Sequence, residues 1–445
     1  LVADPEFPSE LFPFPVWRRT YPAGALVSNV LGYVGEISEE ELRASTGGDY
    51  FGGDLIGKVG IERSYEPELR GAAGEEALEV DARGRKVRTL DTRSAEKGSD
   101  LRLTLDMGVQ KRAVELLAGQ RGALVVMDVR TGAVLALASS PTYDNNPLAW
   151  GVSGKEWRDM TRDPAKPMLD RTIAGVYPPA STFKALVALA ALEEGAITPS
   201  TTFFCGGALR LPSRTFRCWR RGGHGTLNVL SALQYSCDVY FYQTGLKLGI
   251  DLLMKWCREF RLGEPTGIDL PGEASGTIAG PEWKKKRFRE NWYQGDTINY
   301  SIGQGYLLLT PLQIARVYAA IANGGRLVHP FLCDRTYREP TGLPVGREKL
   351  ATVQKGLEYV VRKGTGARAG QFGVTIAGKT GTAQNAHGDD HALFAGYAPA
   401  DDPKFVAVAV VEAGKHGSSV ASPIVGEILA HILSHPTSEE EDRGD

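Results

Sequence analysis

The sequence predicts an α+β fold: one antiparallel sheet covered by helices, preceded by a smaller, mostly β region. Three observations carry this. Strand-like runs stand at Gly122 to Met127 and Ala133 to Ala138. Similar runs return near the end of the chain at 373–377, 392–398 and 404–411. Helical patterns fill the stretch between them, so a single layered sheet-and-helix domain is expected.

The elements follow in order. The first hundred residues hold Pro-rich and Gly-rich stretches, Pro5 to Pro22 and Gly47 to Gly60, and little long helical periodicity. Ser38-Glu39-Glu40-Glu41 is a capping-box pattern that opens a short helix. Ala77 to Leu90 reads as two strands with a turn near Arg83-Gly84, and Leu101 to Leu105 alternates like a strand. Asp106 is placed to cap a helix over Met107 to Leu117. The loop from Asp128 to Gly132 joins the next two strands as a hairpin, with glycine where a positive φ is needed. Residues 181 to 194 form a helix that is apolar nearly all round and therefore buried. Helical patterns recur at 228–248, 250–260 and 311–323, the last ending at Asn323-Gly324, and a final helix follows Pro423. The expected organisation is an N-terminal domain at 1–98, a second domain at 99–435 and a disordered acidic tail at 436–445.

Bulk properties narrow the function. A chain of 445 residues is long enough for two or three domains. Its 51 basic and 53 acidic residues leave a net charge of −2, no basic block stands out, and no nucleic-acid partner is expected. The longest apolar runs, Ala185 to Leu192 and Phe405 to Val411, are far shorter than a bilayer span. No signal peptide is present and the chain begins at Leu1, so it reads as a fragment from which an N-terminal segment was removed. The five cysteines, an odd number, argue against a complete disulfide framework.

Three motifs carry chemistry. Ser181-Thr182-Phe183-Lys184 fits S-x-x-K, a pattern that a chain this long contains about once or twice by chance. Ser94-Ala95-Glu96-Lys97 fits as well and reads as a solvated loop. Ser181 differs because it follows Tyr177-Pro178-Pro179-Ala180 and opens the buried helix. Residues three apart share a helix face, so Lys184 can reach the Ser181 hydroxyl. A lysine in an apolar helix loses solvation, which favours the neutral amine that a base requires. A serine cap beside a snorkelling lysine is the competing reading of an isolated match. Ser236-Cys237-Asp238, in a helical stretch, and Lys379-Thr380-Gly381-Thr382, after the strand-like Val374 to Ala377, tip the balance. Alone, the latter is a strand end turning at Gly381.

In this order the three motifs resemble those of the penicillin-recognising serine acyltransferases. The chain is similar to the class B penicillin-binding proteins, and most to their elongation-type subgroup, over nearly its whole length. Arg19-Thr20-Tyr21-Pro22-Ala23-Gly24, Gly60-Ile61-Glu62 and Tyr65-Glu66 resemble the N-terminal pedestal of that class. Val176-Tyr177-Pro178-Pro179, Cys218-Trp219-Arg220-Arg221-Gly222-Gly223-His224-Gly225, Trp292-Tyr293-Gln294-Gly295-Asp296 and Gly303-Gln304-Gly305 resemble the elongation subgroup, as does Asp238 where most of the superfamily has Asn. The N-terminal part is shorter than usual for the class, which implies an incomplete pedestal.

The resemblance implies a penicillin-binding transpeptidase fold and a peptidoglycan D,D-transpeptidase. Ser181 attacks the penultimate D-Ala of a donor stem peptide, Lys184 is the general base and Ser236 relays the proton. Asp238 holds the Lys184 ammonium and a substrate amide. Lys379, Thr380, Gly381 and Thr382 receive the terminal carboxylate, and the N–H groups of Ser181 and Thr382 form the oxyanion hole. It further implies β-lactam antibiotics as inhibitors and a SEDS-type membrane glycosyltransferase and elongation complex as partners. The implied location is the extracytoplasmic face of the cytoplasmic membrane, through an N-terminal helix. Two alternatives are a β-lactamase or D,D-carboxypeptidase on the same fold, and a non-catalytic scaffold or β-lactam sensor. No motif supplies a deacylating water, and the intact Ser181, Lys184, Ser236 and Lys379 argue against a dead scaffold.

Cys205, Cys218, His224 and Cys237 are spaced C-x12-C-x5-H-x12-C, and Cys3His is a familiar structural zinc set. A Cys205–Cys218 disulfide and buried free thiols are the alternatives. The resemblance adds weight to zinc, because the elongation subgroup carries a metal site in the same loop region. Cys257 and Cys333 read as core.

Overall fold

The computed structural model describes residues 18–45, 50–83, 85–212, 214–385 and 388–435. The acidic tail, the start of the Pro-rich segment and Gly84 of the expected turn lie outside the described residues. Among the described residues, no helix is long and apolar enough to cross a membrane.

Five strands form the central sheet: β1 (Gly122–Asp128), β2 (Val134–Ser140), β3 (Ala377–Ala383), β4 (His391–Ala398) and β5 (Phe405–Val411). Their order is β3-β4-β5-β1-β2, antiparallel throughout, so chain ends meet at the β5–β1 pair and β3 is an edge. Alternation along each strand divides the core. Val125, Met127, Leu393, Val406 and Val408 face one helical layer. Leu124, Val126, Phe394, Ala407 and Ala409 face the other. The second layer holds α1 (Met107–Leu116) and the C-terminal α8 (Ala421–Ser434). The first holds α2 (Lys184–Glu193), α3 (Val229–Gln234), α4 (Asp238–Glu259), α6 (Pro311–Ala322) and α7 (Arg347–Lys363). A shorter helix, α5 (Pro281–Phe288), lies between α4 and α6 in the chain.

Local chemistry explains most boundaries. The Asp106 side chain accepts from the Val109 N–H at 2.9 Å and opens α1. Gly132 takes φ 88° in the β1–β2 loop, which twists as a tight hairpin requires. Thr310 and Gln313 form a capping box, with Pro311 at the first turn of α6.

Four expectations fail for tertiary reasons. Residues 101–105 form no strand, because the Thr104 N–H goes to Leu332 and the Asp106 N–H to Leu135 as single links. The helix expected over 228–248 breaks at 235–237, where Ser236 takes φ 54°, into α3 and α4. The expected second helix at 250–260 joins α4 across a kink at Gly249. The strand expected at 373–377 starts later, at Ala377, and runs straight through Gly381 to Ala383 in register with β4. The third motif is thus the strand itself, with no turn in it.

The N-terminal region holds the paired strands Tyr33–Glu36 and Leu55–Val59, the Ser38 capping box, and an exposed hairpin of Glu75–Val80 with Lys86–Arg93. Its base is continuous with the main core: Val30, Ile61 and Tyr65 pack in the same cluster as Leu186 and Val125. Asn145 donates to the Gly32 carbonyl at 2.7 Å and Gln110 to that of Leu26 at 2.7 Å.

Candidate active site and metal cluster

Ser181 lies in a 3-10 turn, Ala180–Phe183, that leads directly into α2. The turn is held from several sides. Ala180 donates its N–H to Gly303 at 2.8 Å, Thr182 Oγ1 donates to Pro179 at 2.5 Å, and Tyr318 donates to the Thr182 carbonyl at 2.8 Å. Ala180 takes φ 49°, a strained conformation for a residue with a Cβ. Gly303 permits it, since a Cβ there would lie 2.2 Å from the Ala180 oxygen.

The three motifs converge. Lys184 is fully buried on α2. Its ammonium donates to Asp238 Oδ1 at 2.6 Å, to the Ser236 carbonyl at 3.0 Å and to Ser236 Oγ at 3.4 Å. The break between α3 and α4 makes this possible. The positive φ at Ser236 turns its hydroxyl and carbonyl onto the lysine together, which a continuous helix does not allow. Asp238 Oδ2 accepts the Trp219 N–H at 2.9 Å, so both its oxygens are used. A buried ion pair is tolerated only when its remaining hydrogen-bonding capacity is satisfied in this way.

Lys379, on edge strand β3, is also fully buried. Its ammonium donates to the Thr380 carbonyl at 3.1 Å, and the Thr380 hydroxyl meets that of Thr365 at 2.9 Å. Burial, then repulsion from Lys184, pulls the Lys379 pKa well below that of a free lysine, with Asp238 opposing. Gly381 faces the nucleophile's turn: a Cβ there would meet Thr182 at 3.2 Å and the Pro179 oxygen at 3.3 Å. The Thr382 carbonyl accepts from Gln304 Nε2 at 3.1 Å. A residue's N–H and C=O point to the same side of a strand, so the Thr382 N–H is also directed away from β4.

The three motifs therefore lie side by side, Lys184 against Ser236 and Asp238 and Gly381 against the turn that carries Ser181, while the competing Ser94 and Lys97 are exposed, Lys97 pairing with Asp100. Sequence reading gave no role to Gln304, Thr365 or the Trp219 N–H. Of these only Gln304 carried a local signal, its two flanking glycines. His391 is structural: its Nδ1 accepts the Ala413 N–H at 3.1 Å and its ring stands edge-on to Tyr177.

The second cluster lies beside the first. Short strands Phe203–Cys205 and Gly225–Leu227 pair, as do Ala208–Arg210 and Thr215–Arg217. Cys205 ends one strand, Cys218 follows another and His224 precedes a third, while Cys237 caps α4. The ligand atoms of the four residues lie within 4.8 Å of one another. His224 Nδ1 is 3.5 Å from Cys218 Sγ and 3.7 Å from Cys205 Sγ. Tetrahedral zinc with bonds of about 2.3 Å to sulfur and 2.0 Å to nitrogen sets such atoms about 3.6 Å apart. A hydrogen bond from the Cys237 thiol pulls the Cys218 thiol below its ordinary pKa, helped by the Arg220 and Val239 N–H groups against burial and Asp238, while Cys237 is pushed up. All five cysteines are free thiols in this structure, with those of the cluster gathered around His224.

The chain matches the penicillin-binding protein transpeptidase domain over residues 122–430 and the penicillin-binding protein dimerisation domain over residues 10–103. It is 38% identical to peptidoglycan D,D-transpeptidase MrdA of Haemophilus influenzae, over 94% of this chain and 70% of that protein. A solved complex between PBP2 and MreC from Helicobacter pylori superposes with a TM-score of 0.87 at 35% identity, covering 94% of this chain and 79% of that one. Pseudomonas aeruginosa PBP2, solved with WCK 5153, gives 0.85 at 37% identity, covering 95% and 92%. The chain belongs to the penicillin-binding proteins that join a dimerisation domain to a transpeptidase domain. Within them it groups with the MrdA and PBP2 proteins, and its reaction is that of a peptidoglycan D,D-transpeptidase acting through serine.

Proposed function

We propose that Ser181 is the nucleophile of this reaction, served by Lys184, Ser236, Asp238 and the Lys379 strand. The observation that carries the assignment is the meeting of Lys184 with Ser236 and Asp238, one helical turn from Ser181. Ser181 Oγ adds to the carbonyl of the penultimate D-Ala, and its proton passes to Lys184, which Asp238 and Ser236 then hold as the ammonium. The N–H groups of Ser181 and Thr382 stabilise the oxyanion. The bond to the terminal D-Ala breaks, and Ser236 passes a proton to the departing amine. An amine from a second stem peptide then displaces the serine ester, which restores Ser181 and completes the cross-link. Lys379, Thr380 and Thr382 bind the terminal carboxylate, the close fit at Gly381 keeping the strand against the turn. A β-lactam enters by the same first step.

Cys205, Cys218, His224 and Cys237 hold a structural zinc in this reading. Bound there, it supplies four bonds that close an Arg-rich loop with little apolar content and fix the start of α4 at Cys237. In the cell we place the enzyme at the extracytoplasmic face of the cytoplasmic membrane during elongation, held by an N-terminal helix and working with a SEDS-type glycosyltransferase through the pedestal. Its likeness to the Helicobacter pylori protein solved with MreC supports that setting.

Ser181→Ala tests the assignment. It abolishes covalent labelling by a fluorescent penicillin while circular dichroism and melting stay unchanged. Labelling that survives, or that maps to Ser94, overturns it.

A further inference from the structure

The near-neutral total charge hides a strongly uneven distribution. Between Glu194 and Asp238 the chain carries no acidic residue and five arginines. These are Arg210, Arg214, Arg217, Arg220 and Arg221, all exposed. A second basic run lies on α5 and its C-cap: Lys285, Lys286, Arg287 and Arg289, again exposed. Lys284, the buried lysine of α5, pairs with Asp296 at 2.8 Å and Glu290 at 3.5 Å, and Glu282 stands alone in the first turn of the helix, away from its basic end. The nine exposed cations are left facing solvent.

The two runs form one surface. Phe216 of the Arg-rich hairpin packs on Gly295, where a Cβ would lie 3.0 Å from its ring, in the short helix Gln294–Tyr300 between α5 and α6. That surface borders the site. Trp219, between Arg217 and Arg220, gives its N–H to Asp238, and its indole is 58% exposed. Phe288 at the end of α5 stacks 5.3 Å from Tyr306, and Gln304, two residues before Tyr306, reaches the Thr382 carbonyl. Exposed Phe204, Phe288 and Tyr293 stand among the cations. An isolated run of lysines is most simply a solvated face. An acid-free run and a second run with an excess of exposed cations, packed together beside a catalytic cleft and interleaved with exposed aromatics, make a positive field aimed at that cleft.

We propose that this surface docks the anionic strand being cross-linked, gripping free carboxylates of stem peptides that flank the one at Ser181. The proposal rests on the peptidoglycan activity above. That polymer repeats a carboxylate along its length, so many weak contacts sum to retention. A small β-lactam is too short to use the surface.

The experiment compares the wild-type chain with two variants, Lys285→Glu/Lys286→Glu/Arg287→Glu and Arg210→Glu/Arg221→Glu, in sedimentation with purified sacculi and in fluorescent-penicillin labelling. Wild-type sedimentation falls as salt rises, because screening shortens the reach of the charges. Each variant loses about tenfold in sacculus binding, the order expected when a steering patch is reversed, while its labelling rate stays within about twofold. Lys285→Arg/Lys286→Arg keeps both. Unchanged sedimentation overturns the proposal. So does a parallel loss of labelling, which makes the patch structural, and so does salt-sensitive capture by phosphatidylglycerol vesicles without capture by sacculi, which makes it a lipid surface. Absence of labelling in the wild type defeats the Ser181 reading instead, and leaves sedimentation to judge the patch.

Discussion

Lys184 and Lys379 are both fully buried, yet among the described residues only Lys184 has a carboxylate at contact distance. Lys379 is left with a hydroxyl, a carbonyl and a like charge nearby, and its protonated form costs folding free energy. In the reaction proposed above it meets the substrate carboxylate, which relieves this cost on binding. Lys379→Met therefore slows acylation by about a hundredfold, the scale of one lost transition-state contact to charge, while Tm holds or rises. The pH dependence has a definite sign. The unfolded lysine titrates near 10.5 and the folded one well below it, so the unfolded chain binds more protons between those values and wild-type stability rises with pH there. The Tm advantage of Lys379→Met is constant at low pH and shrinks as pH climbs from the lowered pKa towards 10.5. Melting across pH checks this, and an advantage that grows with pH refutes it.

At the scale of elements, the local signals that the sequence carries are those made by neighbours. The hairpin of β1 and β2, the Asp106 cap and the Ser38-Glu41 capping box were legible because each is closed within a few residues. The break before α4 was not. Nothing local marks Ser236 for φ 54°, and the turn is stabilised by Lys184 across the fold. The course of β3 through Gly381 was hidden for the same reason, its partner β4 being a separate strand and its close contact Thr182. The four metal-cluster residues were legible as a set, whereas their closeness depends on two strand pairs. Two glycines separate backbone need from site geometry. Gly249 takes φ 79° and ψ 163° in open space, a region that is essentially glycine-only, so Gly249→Ala costs about 1–3 kcal/mol of stability and leaves acylation unchanged. Gly303 takes φ 73° and a Cβ would strike the Ala180 oxygen at 2.2 Å. Gly303→Ala pushes the nucleophile's turn, and a shift of about 1 Å can cost a hundredfold, so acylation falls at least about tenfold. Melting and labelling on both variants check the contrast, and equal effects on acylation would refute it.

At the scale of the whole molecule, the proposed zinc ties the second motif to the Cys-rich loop, since Cys237 lies between Ser236 and Asp238. Protein prepared without added metal is expected to carry one zinc per chain by elemental analysis. Chelation or His224→Ala lowers both Tm and labelling rate, whereas Cys333→Ala, remote from the cluster, leaves labelling unchanged. Metal-free protein, or an intact mass short by two hydrogens, contradicts this. The acid-free loop has one more consequence. Arg210, Arg214, Arg217, Arg220 and Arg221 are five cleavage points for trypsin in a stretch whose strands are three residues long. Proteolysis needs an extended, unpaired backbone, so a loop pinned at four points resists it and a slack loop is cut. Nicking here separates Ser181 and Lys184 from Ser236 and Asp238 in the chain, making a brief digestion a direct gauge of how tightly the two halves of the site are tied together.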